Sequence, residues 1–181
     1  FDDADVIEGQ ASVAVEIERQ LGSTPDHIIL PVGGGGLSSG MLSYFGTSSQ
    51  FTLVEPLGGA CLWAALIAGK PVKLDKVDTF ADGAAVGQIG QRTFECLKSI
   101  GLANVLRIPE DRICITMLEM LNIEGIVLEP AGALAIDALQ DLGQMIRGRK
   151  VVCVSSGGNF DFERLPEVKE RAQRFAGVKK Y

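Results

Sequence analysis

The stretch LPVGGGGLSSG, residues 30–40, constrains the fold of this chain more than any other. Four consecutive glycines give up more backbone entropy on folding than four residues of any other type. They close the short apolar, β-branched run HIILPV, residues 27–32, which reads as a buried strand. Beyond them Leu37 and Met41, and Leu42, Tyr44 and Phe45, stand at helical spacings. The glycines therefore occupy a strand-to-helix turn. Such a turn aims several backbone N–H groups, and the positive end of a helix dipole, at one spot, which suits an anion and most often a phosphate. A tight turn with close strand–helix packing is the simpler reading, but one or two glycines suffice for that.

Two phosphate motifs can be compared with this turn. A P-loop needs Lys and then Ser or Thr after its last glycine; here Leu37 and Ser38 follow Gly36. A dinucleotide fingerprint needs G-x-G-x-x-G; Gly33, Gly34, Gly35 and Gly36 hold only the G-x-G, and Gly40 is out of frame for the third glycine. An acid, Glu55, does end the next strand about 20 residues on, as that fingerprint asks. A dinucleotide-binding module of the Rossmann type therefore stays open.

Periodicity along the chain alternates. The spacing predicts a helix over 9–21, a strand over 28–32, a helix over 37–46, a strand over 51–55 and a helix over 59–68. A longer helix over 84–100, a strand over 104–108 and two helices in 110–122 and 129–142 follow. A strand over 151–154 and a helix over 163–175 complete the series. Alternation of this kind predicts an α/β fold with a mostly parallel sheet flanked by helices. Ligands of such sheets sit beyond the carboxyl ends of strands. Three strand ends stand out: the glycine run, Glu55-Pro56, and SSGGN at 155–159, a hydroxyl followed by two glycines. Glu129, inside the apolar run IVLEPAGA, is either an acid favoured by a helix dipole or a site residue; both readings stand.

The 181 residues suffice for one good core, and 46% of them are hydrophobic. The net charge of −6 argues against a nucleic-acid or membrane-surface role. No apolar stretch approaches the ~20 residues of a membrane span, and no basic n-region with an apolar h-region is visible at the start of the sequence. Cys61, Cys96, Cys114 and Cys153 form no C-x-x-C pair and lie in apolar settings, which favours buried free thiols in a reducing compartment over zinc or disulfides. His27, the only histidine, reads as a surface residue after TPD. Ser-His-Asp and multi-histidine metal chemistry would both have to use it. The chain opens at Phe1 without Met and closes at Tyr181, so it reads as a piece of something longer.

The motifs PVGGGGL, VEP, FADGAAV, EGIVLEPAGALA and VSSGGNFD, in this order and at these spacings, resemble the pyridoxal-phosphate-dependent serine/threonine dehydratases of fold type II. The segments NIEGIVLEPAGALAIDAL and RFAGVKKY are most similar to biosynthetic threonine dehydratases (threonine ammonia-lyases) with a short regulatory tail. The resemblance implies that residues 1–181 are part of the large, cofactor-binding domain. It implies pyridoxal 5'-phosphate as cofactor. Gly33, Gly34, Gly35, Gly36 and Leu37 match the loop whose amides hold the phosphate. Ser156, followed by Gly157, matches the residue at the pyridine nitrogen. Gly83 matches a backbone position beside the ring, and Glu129 a carboxylate near the ring edge. The implied reaction takes L-threonine, or L-serine in a catabolic dehydratase or serine racemase-like relative, in a cytoplasmic homo-oligomer, a tetramer by resemblance.

Departures accompany the resemblance. The family reads Gly-Thr after the GQ of its first helix; here Ala11-Ser12 follow Gln10, which puts a glycine-dependent approach there in doubt and leaves Ser12 as a candidate cap. Some relatives bind a divalent cation through positions that are Glu55, Gly59 and Cys61 here, and a thiol suits a hard cation poorly, so no metal site is expected. The Schiff-base lysine of the family precedes the glycine loop in a Ser-Phe-Lys-x-Arg type motif. Lys70, Lys73, Lys76, Lys98, Lys150, Lys169, Lys179 and Lys180 all lie outside such a context. That lysine, the small domain and any regulatory domain are expected to lie outside this chain.

Overall fold

The computed structural model describes residues 1–178; Lys179, Lys180 and Tyr181, with the end of the GVKKY motif, lie outside the described residues. Four strands, β1 (His27–Pro31), β2 (Gln50–Pro56), β3 (Val105–Ile108) and β4 (Val151–Cys153), pair in parallel in the order β3-β2-β1-β4. Ile29 aligns with Thr52 on one side and Cys153 on the other. Every residue of β1 is buried, as a central strand covered on both faces must be.

The helices are α1 (Ala4–Gln10), α2 (Ser12–Leu21), α3 (Gly36–Phe45), α4 (Cys61–Ala68), α5 (Gln91–Leu97), α6 (Glu110–Glu119), α7 (Pro130–Asp137), α8 (Leu139–Leu142) and α9 (Leu165–Val178). Side chains of the sheet divide between them with period two. Ile28, Leu30, Leu53 and Val105 pack with Met41 and Phe45 of α3, Leu62 of α4, and Phe94 and Leu97 of α5. Ile29, Val54 and Ile108 pack with Ile113 and Met117 of α6, Leu134 of α7 and Val168 of α9. The result is the three-layer α/β architecture that the alternation predicts.

Strand order creates the functional crevice. The chain steps from β1 outward to β2 and β3, then returns to lay β4 on the opposite side of β1. After β1 it turns to α3 on one face; after β4 it leads to α9 on the other. The two connections part at adjacent carboxyl ends, the place where open α/β sheets bind ligands.

Several expectations are corrected. The 9–21 helix is two helices, joined at Ala11, whose N–H reaches the carbonyls of Ile7 (3.2 Å) and Glu8 (3.0 Å). Helix α3 crosses closely there: a Cβ on Gly40 would stand 2.6 Å from the Ile7 carbonyl oxygen. Ala11 has φ −63°, so no glycine is required at that position, and α2 begins without a side-chain cap from Ser12. The 84–100 helix begins only at Gln91, because Gly87 and Gly90 break it and residues 84–90 run as irregular chain past the crevice. His27 is not a surface residue. It is 2% exposed, and its Nε2 meets Thr52 Oγ1 at 2.8 Å across the β1–β2 pair; burial lowers its pKa first, with Arg149 adding to the effect. All four cysteines are free, Cys61 and Cys114 buried and Cys96 and Cys153 half-buried. Among the described residues no helix is long and apolar enough to cross a membrane.

Candidate functional site

At the end of β1 the Val32 N–H still bonds the Val54 carbonyl (2.8 Å), and the chain then leaves the sheet. Gly35 turns it into α3 with φ +89°, a left-handed conformation that favours glycine. Both carbonyls of the turn are held from behind. Cys61 Sγ donates to the Gly33 carbonyl (3.5 Å), and Thr93 Oγ1, from α5, donates to that of Gly34 (2.8 Å). In a trans peptide the N–H points opposite the C=O, so these anchors turn the N–H groups of Gly34 and Gly35 away from Cys61 and Thr93. The first N–H groups of α3 also lack intrahelical acceptors.

The glycines are demanded by the protein's own neighbours as well. A Cβ on Gly33 would stand 3.1 Å from Ala84 Cα, one on Gly34 would overlap the Phe1 ring, and one on Gly36 would stand 3.3 Å from Phe1 Cβ. Phe1 is anchored through its neighbour: the Asp2 carboxylate accepts the Thr93 N–H at 2.9 Å. Close packing and an anion turn are thus combined in one loop.

The end of β4 supplies the other wall. Ser155 donates its hydroxyl to the Gly132 carbonyl (2.9 Å), fastening the loop to α7. Ser156 lines the crevice instead. Glu129 precedes α7 and makes no side-chain cap there. Its carboxylate lies between two glycines: a Cβ on Gly83 would be 2.9 Å from Oε1, and one on Gly157 would overlap it. The Glu129 N–H also bonds the Gly157 carbonyl (3.1 Å). Burial raises the Glu129 pKa, the Asp82 charge raises it further, and a backbone hydrogen bond from Asn159 opposes them. Glu129 thus stands at the N-terminus of α7, where the helix dipole favours an acid, without making a capping hydrogen bond, and it also adjoins the cleft wall at Gly83.

The cleft so formed holds about 390 Å³. Gly33, Gly34, Gly35, Gly36, Leu37, Gly83 and Ser156 all line it, although residues 33 and 156 are far apart in sequence. Glu129 and Gly157 stand just behind Gly83 rather than in the lining. Among the described residues no lysine lines the cleft. Glu55 does not face it either. Glu55 is fully buried, and its two carboxylate oxygens accept the N–H groups of Leu62 (2.7 Å) and Trp63 (2.9 Å) at the start of α4. Desolvation pushes its pKa up to about 7 against those bonds. A dinucleotide fingerprint needs this acid at the ligand, so that reading fails on geometry.

Sequence reasoning missed three contributors: Thr93, which braces the turn, Phe1, which packs on it, and Ser38, which lines the cleft. Ser38 had a signal. It stands two residues after the last glycine, where a P-loop carries its hydroxyl.

Residues 1–157 match the pyridoxal-phosphate dependent enzyme family. The chain belongs to this family. It is 44% identical over 184 residues to the L-threonine dehydratase biosynthetic IlvA of Bacillus subtilis (strain 168), covering all of this chain and 43% of that protein. Its fold is similar to the processed form of threonine deaminase isoform 2 from Solanum lycopersicum, with a TM-score of 0.86 and 36% identity over 95% of this chain and 51% of that one. It is also similar to serine racemase from Dictyostelium discoideum, with a TM-score of 0.76 and 32% identity over 89% of this chain and 52% of that one. The chain thus spans about half the length of the relatives it matches.

The cleft fits the family's cofactor. Among the described residues no charged side chain lines it, and backbone amides gather on one wall, as suits a phosphate dianion. The buried Ser38 hydroxyl on that wall has no hydrogen-bond partner among the described residues. A glycine turn of this kind at a helix N-terminus suits the phosphate of such a cofactor.

Proposed function

We propose that residues 1–181 form the cofactor-holding part of a threonine dehydratase, and that the complete enzyme converts L-threonine to 2-oxobutanoate and ammonia. The observation that carries this reading is the convergence of the glycine turn and Ser156 on one cleft at the adjacent ends of β1 and β4. Likeness to the Bacillus subtilis and Solanum lycopersicum proteins supports threonine as the substrate.

In this reading the amides of Gly33, Gly34, Gly35, Gly36 and Leu37 bind the phosphate. Ser156 Oγ hydrogen-bonds the pyridine nitrogen. A hydroxyl there stabilises a protonated ring less than a carboxylate would. The ring is then a mild electron sink, which suits a substrate whose own β-hydroxyl is the leaving group. Gly83 leaves room beside the ring. Glu129, behind Gly83 and with its pKa raised, holds a proton at its carboxylate more readily than an exposed glutamate. Bound in the cleft, pyridoxal 5'-phosphate supplies the sink that lets the substrate lose its Cα proton and then its β-hydroxyl.

Covalent chemistry of this type also needs a lysine amine at the cofactor aldehyde. Among the described residues no lysine lines the cleft; in this reading the amine is supplied by residues outside 1–181, together with a small domain that closes over the substrate. Any regulatory domain also lies outside them. A homo-oligomer, a tetramer by family resemblance, acting in the cytoplasm on a small amino acid completes the proposal.

Serine racemase activity is a second reading, supported by the likeness to the Dictyostelium discoideum protein. Purified full-length protein, loaded with pyridoxal phosphate and given L-threonine or L-serine, separates the two. Keto acid from threonine supports the dehydratase. D-serine without keto acid favours the racemase. No cofactor-dependent change in either amino acid refutes both.

A further inference from the structure

Two buried side-chain polar atoms among the described residues make no hydrogen bond: Nδ1 of His27 and Oγ of Ser38. His27 sits at the amino end of β1 and does not line the cleft. Ser38 lines the cleft and is 1% exposed. A buried hydroxyl left unpaired is unfavourable, so it calls for a reason.

Local structure gives none. A buried serine in a helix can return its hydroxyl to the carbonyl four residues earlier. For Ser38 that carbonyl belongs to Gly34, which accepts from Thr93 Oγ1 and receives no bond from Ser38. The next residue, Ser39, does find a partner, the Thr93 carbonyl at 3.5 Å. Ser38 is the third residue of α3, a ten-residue helix with no acid in its first turn. Its hydroxyl thus shares a wall with amides that themselves lack intrahelical acceptors. Donors gathered without an acceptor, beside the positive end of a helix dipole, select an anion.

We propose that the Ser38 hydroxyl donates to the cofactor phosphate, a side-chain contact added to the backbone amides of the glycine turn. The proposal rests on reading this cleft as the phosphate site. It carries a signature that a packing role lacks, because Ser38→Ala acts with opposite sign on the two forms of the protein. Without cofactor, the variant removes an unpaired hydroxyl and does not lower the melting temperature. With cofactor, it removes a charge-assisted hydrogen bond.

The experiment uses full-length protein stripped of cofactor, as wild type and Ser38→Ala, titrated with pyridoxal 5'-phosphate and separately with pyridoxal, which lacks the phosphate. A donor to a phosphate dianion predicts a loss of about tenfold or more in affinity for pyridoxal 5'-phosphate and none for pyridoxal. The phosphorus NMR resonance of the bound cofactor should move in the variant, and inorganic phosphate should compete less well at its site. Equal losses for both compounds, or no loss for either, would overturn the assignment of Ser38. Failure of the wild type to bind pyridoxal 5'-phosphate would instead overturn the reading of the cleft itself, and the proposal with it.

Discussion

Replacing Thr93 with valine removes one hydroxyl and keeps the volume. Thr93 is fully buried. Its Oγ1 donates to the Gly34 carbonyl at 2.8 Å and approaches that of Gly90 at 3.3 Å. The net worth of one such bond is about 0.5–1.5 kcal/mol, and a buried carbonyl left without a donor costs about 1–3 kcal/mol. Unfolding of the cofactor-free full-length Thr93→Val protein by urea should therefore show a loss of about 1–3 kcal/mol. The Thr93 N–H bond to Asp2 is a main-chain contact and survives. The functional consequence is larger than the stability change alone suggests, because the lost bond is the one that orients the Gly34–Gly35 peptide. Affinity for pyridoxal phosphate should fall about tenfold for each 1.4 kcal/mol of orientation lost. Thr93→Ser keeps the hydroxyl and gives up only a methyl, about 0.8 kcal/mol, so it should bind cofactor nearly as well as wild type. If valine leaves both stability and cofactor affinity unchanged, or if serine is as damaging as valine, the brace does not set the turn.

Ser156→Ala should leave the melting temperature of the cofactor-free protein nearly intact while sharply reducing keto-acid formation; normal turnover would place the pyridine nitrogen elsewhere. Glu55, raised to about 7 in the folded protein from a usual value of 4.5, binds more protons folded than unfolded between those limits. Its contribution is present below pH 4.5 and is lost as pH rises through 7. Glu55→Gln should flatten the stability profile in that window, and a slope identical to wild type would show that Glu55 does not titrate there. Asp137 is fully buried against Arg112 (2.7 Å) and Thr116 (2.7 Å). Arg112→Ala should destabilise by about 3–5 kcal/mol in denaturant, with Arg112→Leu/Asp137→Leu recovering much of the loss; a cost under about 1 kcal/mol would mark the pair as a surface-type contact.

The sequence carried the parts of this protein that depend on near neighbours. Strand-to-helix turns announce themselves by glycine after a β-branched run, because the left-handed Gly35 must adjoin both elements. The β1 and β2 strands were legible because apolar runs of that length bury both faces, and β4, half-buried at the sheet edge, because its run is apolar too. Ser156 was legible because a hydroxyl followed by two glycines at a strand end is a local pattern, and the order and spacing of five such patterns marked the family. The 84–100 segment misled for the same reason: its apolar residues repeat at helical spacing, but Gly87 and Gly90 break the helix.

Tertiary structure alone decided who stands opposite whom. Thr93 reaches Gly34 across 59 residues, and Phe1 reaches the same glycine from the start of the chain. His27 became a buried strand residue only when β2 brought Thr52 beside it. Glu55 was assigned to α4 rather than to a ligand by a turn seven residues on, which presents two N–H groups to its carboxylate. The placement of β4 on the far side of β1 made one cleft from two distant loops. Backbone preference and side-chain period act over a few residues and are written into the chain one residue at a time. Partners across a sheet are set by which strand lies next to which, and that depends on the lowest free energy of the whole packed chain rather than on any segment of it.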